Sequence, residues 1–166
     1  MSYLVLARKY RPRTFAEVAG QPNVTRVLRG AIREGRIAHS YLFTGPRGTG
    51  KTTCARLLAK ALNCEQGPVE EPCGTCERCL ALDAGSELDV IEIDAATHTG
   101  VDHIRDLRDQ ASYVPVRARH KIYIVDEVHL LPPGAFHALL TNVQDRKHAV
   151  EGKGGALGGP RLPTKQ

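Results

Sequence analysis

Residues 45–53 form a glycine-rich loop of the kind that binds nucleotide phosphates. They read Gly-Pro-Arg-Gly-Thr-Gly-Lys-Thr-Thr and match the pattern G-x-x-x-x-G-K-[ST], in which backbone N–H groups cradle the phosphates of ATP or GTP. Lys51 is predicted to reach the β- and γ-phosphates, and the Thr52 hydroxyl to ligate Mg²⁺. The candidate nucleotide-binding residues of the loop are Gly45, Pro46, Arg47, Gly48, Thr49, Gly50, Lys51, Thr52 and Thr53.

A pair of acidic residues follows an apolar run later in the chain. Residues 121–125 read Lys-Ile-Tyr-Ile-Val and are followed directly by Asp126 and Glu127. Paired with the phosphate loop, this pattern predicts that Asp126 holds Mg²⁺ and that Glu127 polarises the attacking water. Lys51, Asp126 and Glu127 are therefore the candidate catalytic residues. The alternative is a solvated pair of acids at the end of a strand.

Four of the five cysteines are closely spaced and could bind a metal ion. They follow the pattern C-x8-C-x2-C-x2-C and are Cys64, Cys73, Cys76 and Cys79. Four thiolates favour Zn²⁺ in a closed structural site, with no ligand position left open for chemistry. An iron–sulfur cluster is the alternative, although Asp83 and Ala84 stand where its usual spacing would place a further cysteine. Unliganded thiols are the third possibility, and Cys54 is predicted to be a small core residue.

Alternating helical and strand patterns surround these motifs. The strands are predicted at 38–43, 89–94 and 121–125, and the helices at 23–35, 51–63, 101–113 and from Pro132 or Pro133 to 140, with a short helix or turn at 80–85. The helix at 51–63 would direct its positive N-terminal dipole at the phosphates. Strands that alternate with helices predict an α/β fold with a parallel sheet.

Length and composition exclude several classes of protein. The chain has 166 residues and a net charge of +5, and it contains no run approaching the ~20 apolar residues of a membrane helix. The first residues are too short an apolar stretch for a signal peptide, so we expect a cytoplasmic protein with no membrane partner. Five Tyr, three Phe and no Trp offer no stacking platform for direct nucleic-acid recognition.

Several motifs, in order along the chain, resemble the gamma/tau subunits of the bacterial DNA polymerase III clamp loader, a family of AAA+ ATPases. The resemblance covers residues 3–140. It rests on the four-cysteine insertion and on the segments 3–21, 35–43, 89–96 and 123–129. It implies a P-loop AAA+ core at 1–140, with a zinc module at 64–79 inserted after the phosphate-loop helix.

The resemblance also implies an adenine pocket and a role in replication. The matching pocket positions are Ala7, Tyr10, Arg11, Pro12 and Val18, for which a surface arm packed on the core is the alternative. The family hydrolyses ATP to ADP and phosphate in a ring with other gamma/tau copies, delta and delta-prime, and loads the sliding clamp on primed DNA. A non-catalytic nucleotide- and zinc-binding interaction module is the competing interpretation, and the zinc insertion argues against another AAA+ motor.

The resemblance ends at residue 141. Residues 141–166 are rich in Gly and Pro and are predicted to be disordered, and the sensor strand, arginine finger, lid and collar of the family are not in the sequence. The missing sensor strand would lie between strands 38–43 and 121–125, so both would keep unpaired edges. We therefore expect this truncated chain to fold poorly by itself or with a rearranged sheet, to hydrolyse ATP negligibly and to assemble poorly into a ring. A shifted reading frame or a natural short form would both give such a tail.

Overall fold

The structure is a computed structural model that describes residues 10–97, 114–131 and 133. These residues form three α-helices and two β-strands, in keeping with the predicted α/β class. In chain order the elements are α1 (Pro22–Arg33), α2 (Lys51–Asn63), α3 (Glu77–Ala84), β1 (Val90–Asp94) and β2 (Ile122–Asp126), with 3₁₀ turns at Phe15–Glu17 and Val128–Leu130.

The first two helices bury one face each. Helix α1 begins at Pro22, whose fixed φ suits the first helical turn. Proline lacks an N–H group, and the N–H at this position would have no acceptor within the helix. Its buried residues Thr25, Leu28 and Ile32 recur at the three- and four-residue spacing of one helical face. Helix α2 has the bounds predicted from the sequence and buries most of its second half.

Helix α3 begins three residues before the predicted position because a cysteine caps it. The sulfur of Cys76 accepts a hydrogen bond from the backbone N–H of Cys79 over 3.4 Å, which satisfies one of the free donors of the first turn. The helix ends at Gly85, whose φ of 75° is the left-handed conformation that commonly terminates helices.

The two strands pair in parallel. Val90 lies beside Ile122 and Asp94 beside Asp126, so the carboxyl ends of both strands meet at one edge of the sheet. The near-continuous apolar run at 121–125 predicts a strand that is covered on both faces, and the burial of β2 is lower than this pattern predicts. Only Ile124 of β2 is buried, and the other four residues of the strand are half-buried.

The predicted strand at 38–43 is not a strand in the structure. Leu42 is 76% exposed, and the Tyr41 hydroxyl accepts a hydrogen bond from the N–H of Ala38 over 3.0 Å. Among the described residues β2 pairs with β1 and with no strand on its other side. A strand needs a neighbour to satisfy its backbone groups, so an apolar pattern by itself leaves 38–43 as an irregular segment.

The main core lies between α1 and α2. Phe15 from the first 3₁₀ turn packs there with Leu28 and Ile32 of α1 and with a row of α2 residues, namely Cys54, Leu57, Leu58, Ala61 and Leu62. A second cluster joins α2, α3 and the sheet through Ala59, Leu82 and Ile124. The prediction that Cys54 is a core residue is confirmed, and burial raises the pKa of its thiol. Helix α2 is therefore the element that both halves of the structure share.

Several predictions fall on residues that the structure does not describe. They are the position of Ala7, the helix at 101–113, almost all of the helix up to residue 140, and the disordered tail at 141–166. The division into a domain at 1–140 and a tail, and the expected poor folding of the chain, stay predictions.

Candidate nucleotide and metal sites

The glycine-rich loop joins the irregular segment 38–43 to the N-terminus of α2. Gly48 and Gly50 have φ angles of 81° and 83°, which L-residues with a side chain rarely adopt. The ammonium group of Lys51 donates hydrogen bonds to the carbonyl oxygens of Gly45 at 2.9 Å and Pro46 at 2.7 Å. The hydroxyl of Thr49 donates to Pro46 O as well, at 2.9 Å. The loop is thus folded back on the first turn of α2.

The acidic pair at the end of β2 lies beside this loop. The Thr52 hydroxyl donates a hydrogen bond to Asp126 Oδ2 over 2.8 Å, although the two residues are 74 positions apart in the chain. The backbone N–H of Glu127 donates to Asp126 Oδ1 at 3.0 Å. A hydroxyl and a carboxylate at this distance are hard oxygen donors of the type that Mg²⁺ prefers, so the residues present fit the predicted metal.

Glu127 has an unusual backbone and two basic neighbours. Its φ is 51°, a conformation that is uncommon for a residue with a side chain and that recurs at functional sites. Its Oε1 lies 3.7 Å from Nε of Arg47, and its Oε2 lies 3.6 Å from Nδ1 of His129. The Glu127 side chain therefore lies beside Arg47 of the phosphate loop.

A cleft of about 360 Å³ brings most of the predicted site residues together. Its lining comprises Tyr10, Arg11, Pro12, Arg47, Gly48, Gly50, Lys51, Thr52, Thr53, Asp126 and Glu127. Val18 does not line it and packs against the main core instead. Gly45, Pro46 and Thr49 shape the loop without lining the cleft. The N-terminal arm, the loop and the acidic pair thus meet around one space at the N-terminus of α2.

The four predicted cysteine ligands lie together near the C-terminal end of α2, where Cys64 directly follows the helix. Their sulfur atoms are all within 4.8 Å of one another, and those of Cys73 and Cys79 are 3.9 Å apart. A tetrahedral zinc ion with bonds of about 2.3 Å would separate its sulfur ligands by about 3.8 Å. The cluster has the dimensions of a single-ion site, and a cluster of several irons would hold its thiolates further apart.

Backbone N–H groups favour the thiolate form of one cysteine in this cluster. The N–H groups of Thr75 and Cys76 lower the pKa of Cys73 to about 6, and the N–H of Cys76 lies 3.4 Å from its sulfur. Burial raises the pKa of Cys79 instead. A bound cation would hold such a buried thiol as the thiolate.

Sequence analysis missed the polar residues that support these two sites. Asp89 has no exposed surface, and Asn63 and Lys60 are almost fully buried. Lys60 forms an ion pair of 2.7 Å with Asp83. Glu71 of the cysteine module accepts a hydrogen bond from the N–H of Phe15 at 2.9 Å. Their partners lie 23 to 57 residues away in sequence, so no local pattern could reveal these pairs.

Comparison with known proteins assigns the chain to a family. The family model described as "DNA polymerase III, delta subunit" matches residues 20–148. Because this match covers most of the chain, the chain belongs to this family of DNA polymerase III subunits. Among the described residues, no helix is long and apolar enough to cross a membrane.

Three relatives show the same relationship more closely. The chain is 50% identical over 145 residues to DNA polymerase III subunit tau of Bacillus subtilis, which covers 87% of this chain and 26% of the relative. It is 54% identical over 144 residues to subunit gamma/tau of Mycobacterium tuberculosis, covering 86% and 25%. It is 52% identical over 151 residues to subunit tau of Escherichia coli, covering 91% and 24%. The resemblance to gamma/tau subunits is confirmed, and the chain spans about a quarter of the length of these relatives.

Proposed function

We propose that this chain is the nucleotide-binding part of a clamp-loader gamma/tau subunit with a P-loop AAA+ core, and that it binds Mg²⁺–ATP between the glycine-rich loop and the acidic pair. The observation that carries the proposal is the 2.8 Å hydrogen bond between Thr52 and Asp126. The two side chains expected to hold Mg²⁺ reach the same point from distant segments, beside the N-terminus of α2.

The side chains at this point have separate roles in the proposed hydrolysis of ATP to ADP and phosphate. Lys51 would exchange its two loop carbonyl partners for oxygens of the β- and γ-phosphates. Glu127 would orient the attacking water and accept its proton. Thr52 and Asp126 would ligate Mg²⁺, which when bound supplies neutralisation of the phosphate charge. The free N–H groups of the first turn of α2 would face the phosphates.

Tyr10, Arg11 and Pro12 are proposed to line the adenine end of the same cleft. They share its lining with the phosphate loop, whereas Val18 would act indirectly by packing the arm on the core. The four cysteines are proposed to hold one structural zinc ion, which the spacing of their sulfur atoms supports. This ion would stabilise the loop at 64–76 and would take no part in hydrolysis.

The proposed setting is the clamp loader of the replication machinery in the cytoplasm. Its partners would be further gamma/tau copies, delta and delta-prime, the sliding clamp, and primed DNA through the assembled ring. Support for this setting comes from the family match and from three relatives that are named as DNA polymerase III subunits. ATP binding and hydrolysis would serve there as a timed switch.

Single-turnover hydrolysis of radiolabelled ATP by the purified chain, with and without Mg²⁺, tests the proposal. We expect this chain to hydrolyse ATP slowly, and Glu127→Gln should lower this slow rate to the background of the assay, because it removes the positioned base, while leaving nucleotide binding intact. Lys51→Ala should abolish binding of the triphosphate. The proposal is refuted if the wild-type chain binds no nucleotide or if Lys51→Ala binds it normally.

A non-catalytic nucleotide- and zinc-binding interaction module is the second candidate. The observation that favours it is the surroundings of Glu127, whose two carboxylate oxygens each have a basic side chain within 3.7 Å. Such neighbours would compete with a water molecule for the carboxylate. This function predicts tight nucleotide binding with a hydrolysis rate that Glu127→Gln does not change.

A further inference from the structure

Residues 116–120 form a short segment, here called the brace, that lies between the cysteine module and β2. Asn63 exchanges two hydrogen bonds of 2.9 Å with the backbone of His120. Arg117 forms an ion pair of 2.5 Å with Glu77. Arg119 donates a hydrogen bond to the carbonyl oxygen of Glu65 at 3.3 Å. The brace therefore has three separate attachments to the surroundings of the cysteine module.

Each attachment is next to a predicted metal ligand in the sequence. Asn63 and Glu65 flank Cys64, and Glu77 directly follows Cys76. The guanidinium of Arg119 also lies 3.6 Å from the point where a Cβ on Gly67 would stand. A ligand that holds Cys64 and Cys76 in position would therefore also hold the neighbouring residues that contact the brace.

The brace is also connected to the nucleotide site, through Asp89 and strand β2. Its backbone N–H groups at 116, 117 and 118 all donate to the buried carboxylate of Asp89, at 2.8, 2.7 and 2.7 Å. Asp89 immediately precedes β1, and the brace is followed after Lys121 by β2. The far end of β2 is Asp126, which accepts the hydrogen bond of Thr52. The brace thus fixes the starting point of the strand that carries the acidic pair.

We propose that the brace couples the cysteine module to the nucleotide site, so that metal binding by the four cysteines and Mg²⁺–nucleotide binding at Thr52 and Asp126 strengthen each other. This inference rests on the proposed function of both sites. A metal ion would hold Cys64 and Cys76 in one arrangement, and with them the attachments of the brace. Coupling between two sites is reciprocal, so each ligand must raise the affinity for the other by the same factor.

The first test measures both sides of this coupling on the whole chain. A fluorescent N-methylanthraniloyl ATP analogue with Mg²⁺ is titrated into zinc-loaded and zinc-stripped protein, and zinc affinity is measured by chelator competition with and without the analogue. We expect both factors to be equal and ~5–10-fold, in the lower range of measured allosteric couplings. Equal nucleotide affinity of the two forms would overturn the coupling and leave the proposed function standing. Absence of nucleotide binding in both forms would instead contradict the proposed function.

Variants that keep all four cysteines make the test independent of whether stripped protein stays folded. The combined change Arg117→Ala and Arg119→Ala should keep its zinc but weaken analogue binding ~2–5-fold, a partial loss of the expected coupling. The matched control changes two other exposed arginines with local partners, Arg26 and Arg36, to alanine and should bind like the wild type. The same affinity in both double variants would overturn the proposal.

A charge reversal separates coupling from simple loss of structure. Arg117→Glu by itself should weaken analogue binding, and combining it with Glu77→Arg should restore it, because the ion pair between the module and the brace is then re-formed. Failure of the second change to restore binding would show that the contact with the module is not what matters.

Discussion

Replacing Asp89 by asparagine should destabilise the fold through the brace. The carboxylate is completely buried. Its Oδ1 accepts one backbone hydrogen bond and its Oδ2 accepts two. An asparagine of the same shape has one acceptor oxygen, and its NH₂ group must then face at least one N–H donor. The substitution thus leaves at least one of the three N–H donors without an acceptor, with little change in side-chain volume.

The expected loss of unfolding free energy follows from these three bonds. One N–H group left unpaired costs ~1–3 kcal/mol, and each of the two remaining bonds weakens by ~1 kcal/mol when its acceptor becomes neutral. Relief of the desolvation of a buried charge offsets part of this loss. We therefore expect Asp89→Asn to lower the free energy of unfolding by about 2–3 kcal/mol at neutral pH.

The effect should depend on pH with a definite sign. Burial by itself raises the pKa of Asp89, but the N–H groups of Ala118, Arg117 and Val116 together outweigh it and leave the pKa below its usual value. Because the pKa is lower in the folded state, the ionised carboxylate stabilises the fold at pH values above the unfolded-state pKa of about 3.9. This stabilisation is lost as the pH falls through the folded-state pKa. The difference between wild type and variant should be constant from about pH 7 to 5 and shrink below about pH 4.

Urea unfolding followed by circular dichroism at several pH values is the assay. Glu65→Gln, which neutralises an exposed acid nearby, is the matched control and should change stability by less than ~0.5 kcal/mol. The reasoning is refuted if Asp89→Asn unfolds at the same urea concentration as this control, or if its deficit persists undiminished in acid.

Three further predictions use the same unfolding measurement or a metal analysis. Gly30→Ala lies within α1 and places its new Cβ near no other atom, so it should raise the free energy of unfolding by ~0.5–1 kcal/mol. Gly50→Ala has a φ of +83° and should lower the free energy of unfolding by ~1–2 kcal/mol. Shifts of the same sign would contradict the assigned conformations. Asp83→Ala should cost ~2–3 kcal/mol, because the buried ammonium of Lys60 loses its carboxylate and keeps only the carbonyl oxygen of Arg13 at 3.5 Å. Lys60→Met should cost less than ~1 kcal/mol, and the reverse order would contradict the ion-pair argument. Wild-type protein should contain about one zinc ion per chain and Cys76→Ser much less, so equal zinc contents would exclude the four-cysteine site.

Much of the local structure followed from the sequence. The bounds of α2 could be predicted because a glycine-rich loop, a lysine and a run of helix-forming residues stand next to each other in the chain. The proximity of the four cysteines was equally predictable, because their spacing allows few arrangements other than a cluster. Both features depend on contacts over short distances in sequence, where residue type and spacing restrict the backbone strongly.

Contacts between distant segments required the tertiary structure. The apolar alternation at 38–43 predicted a strand, yet a strand forms only where a neighbour satisfies its backbone, and the described residues supply none there. The pattern at 89–94 predicted β1 but not that Asp89 holds the brace, since its partners lie 27 to 29 residues further on. The sequence by itself determined which chemical groups the protein carries and how each local segment folds. The two nucleotide motifs already implied that Thr52 and Asp126 would meet at one Mg²⁺ ion. Pairs such as Lys60 and Asp83 were decided only by the packing of α2 against α3, because packing brings together residues that no local pattern relates.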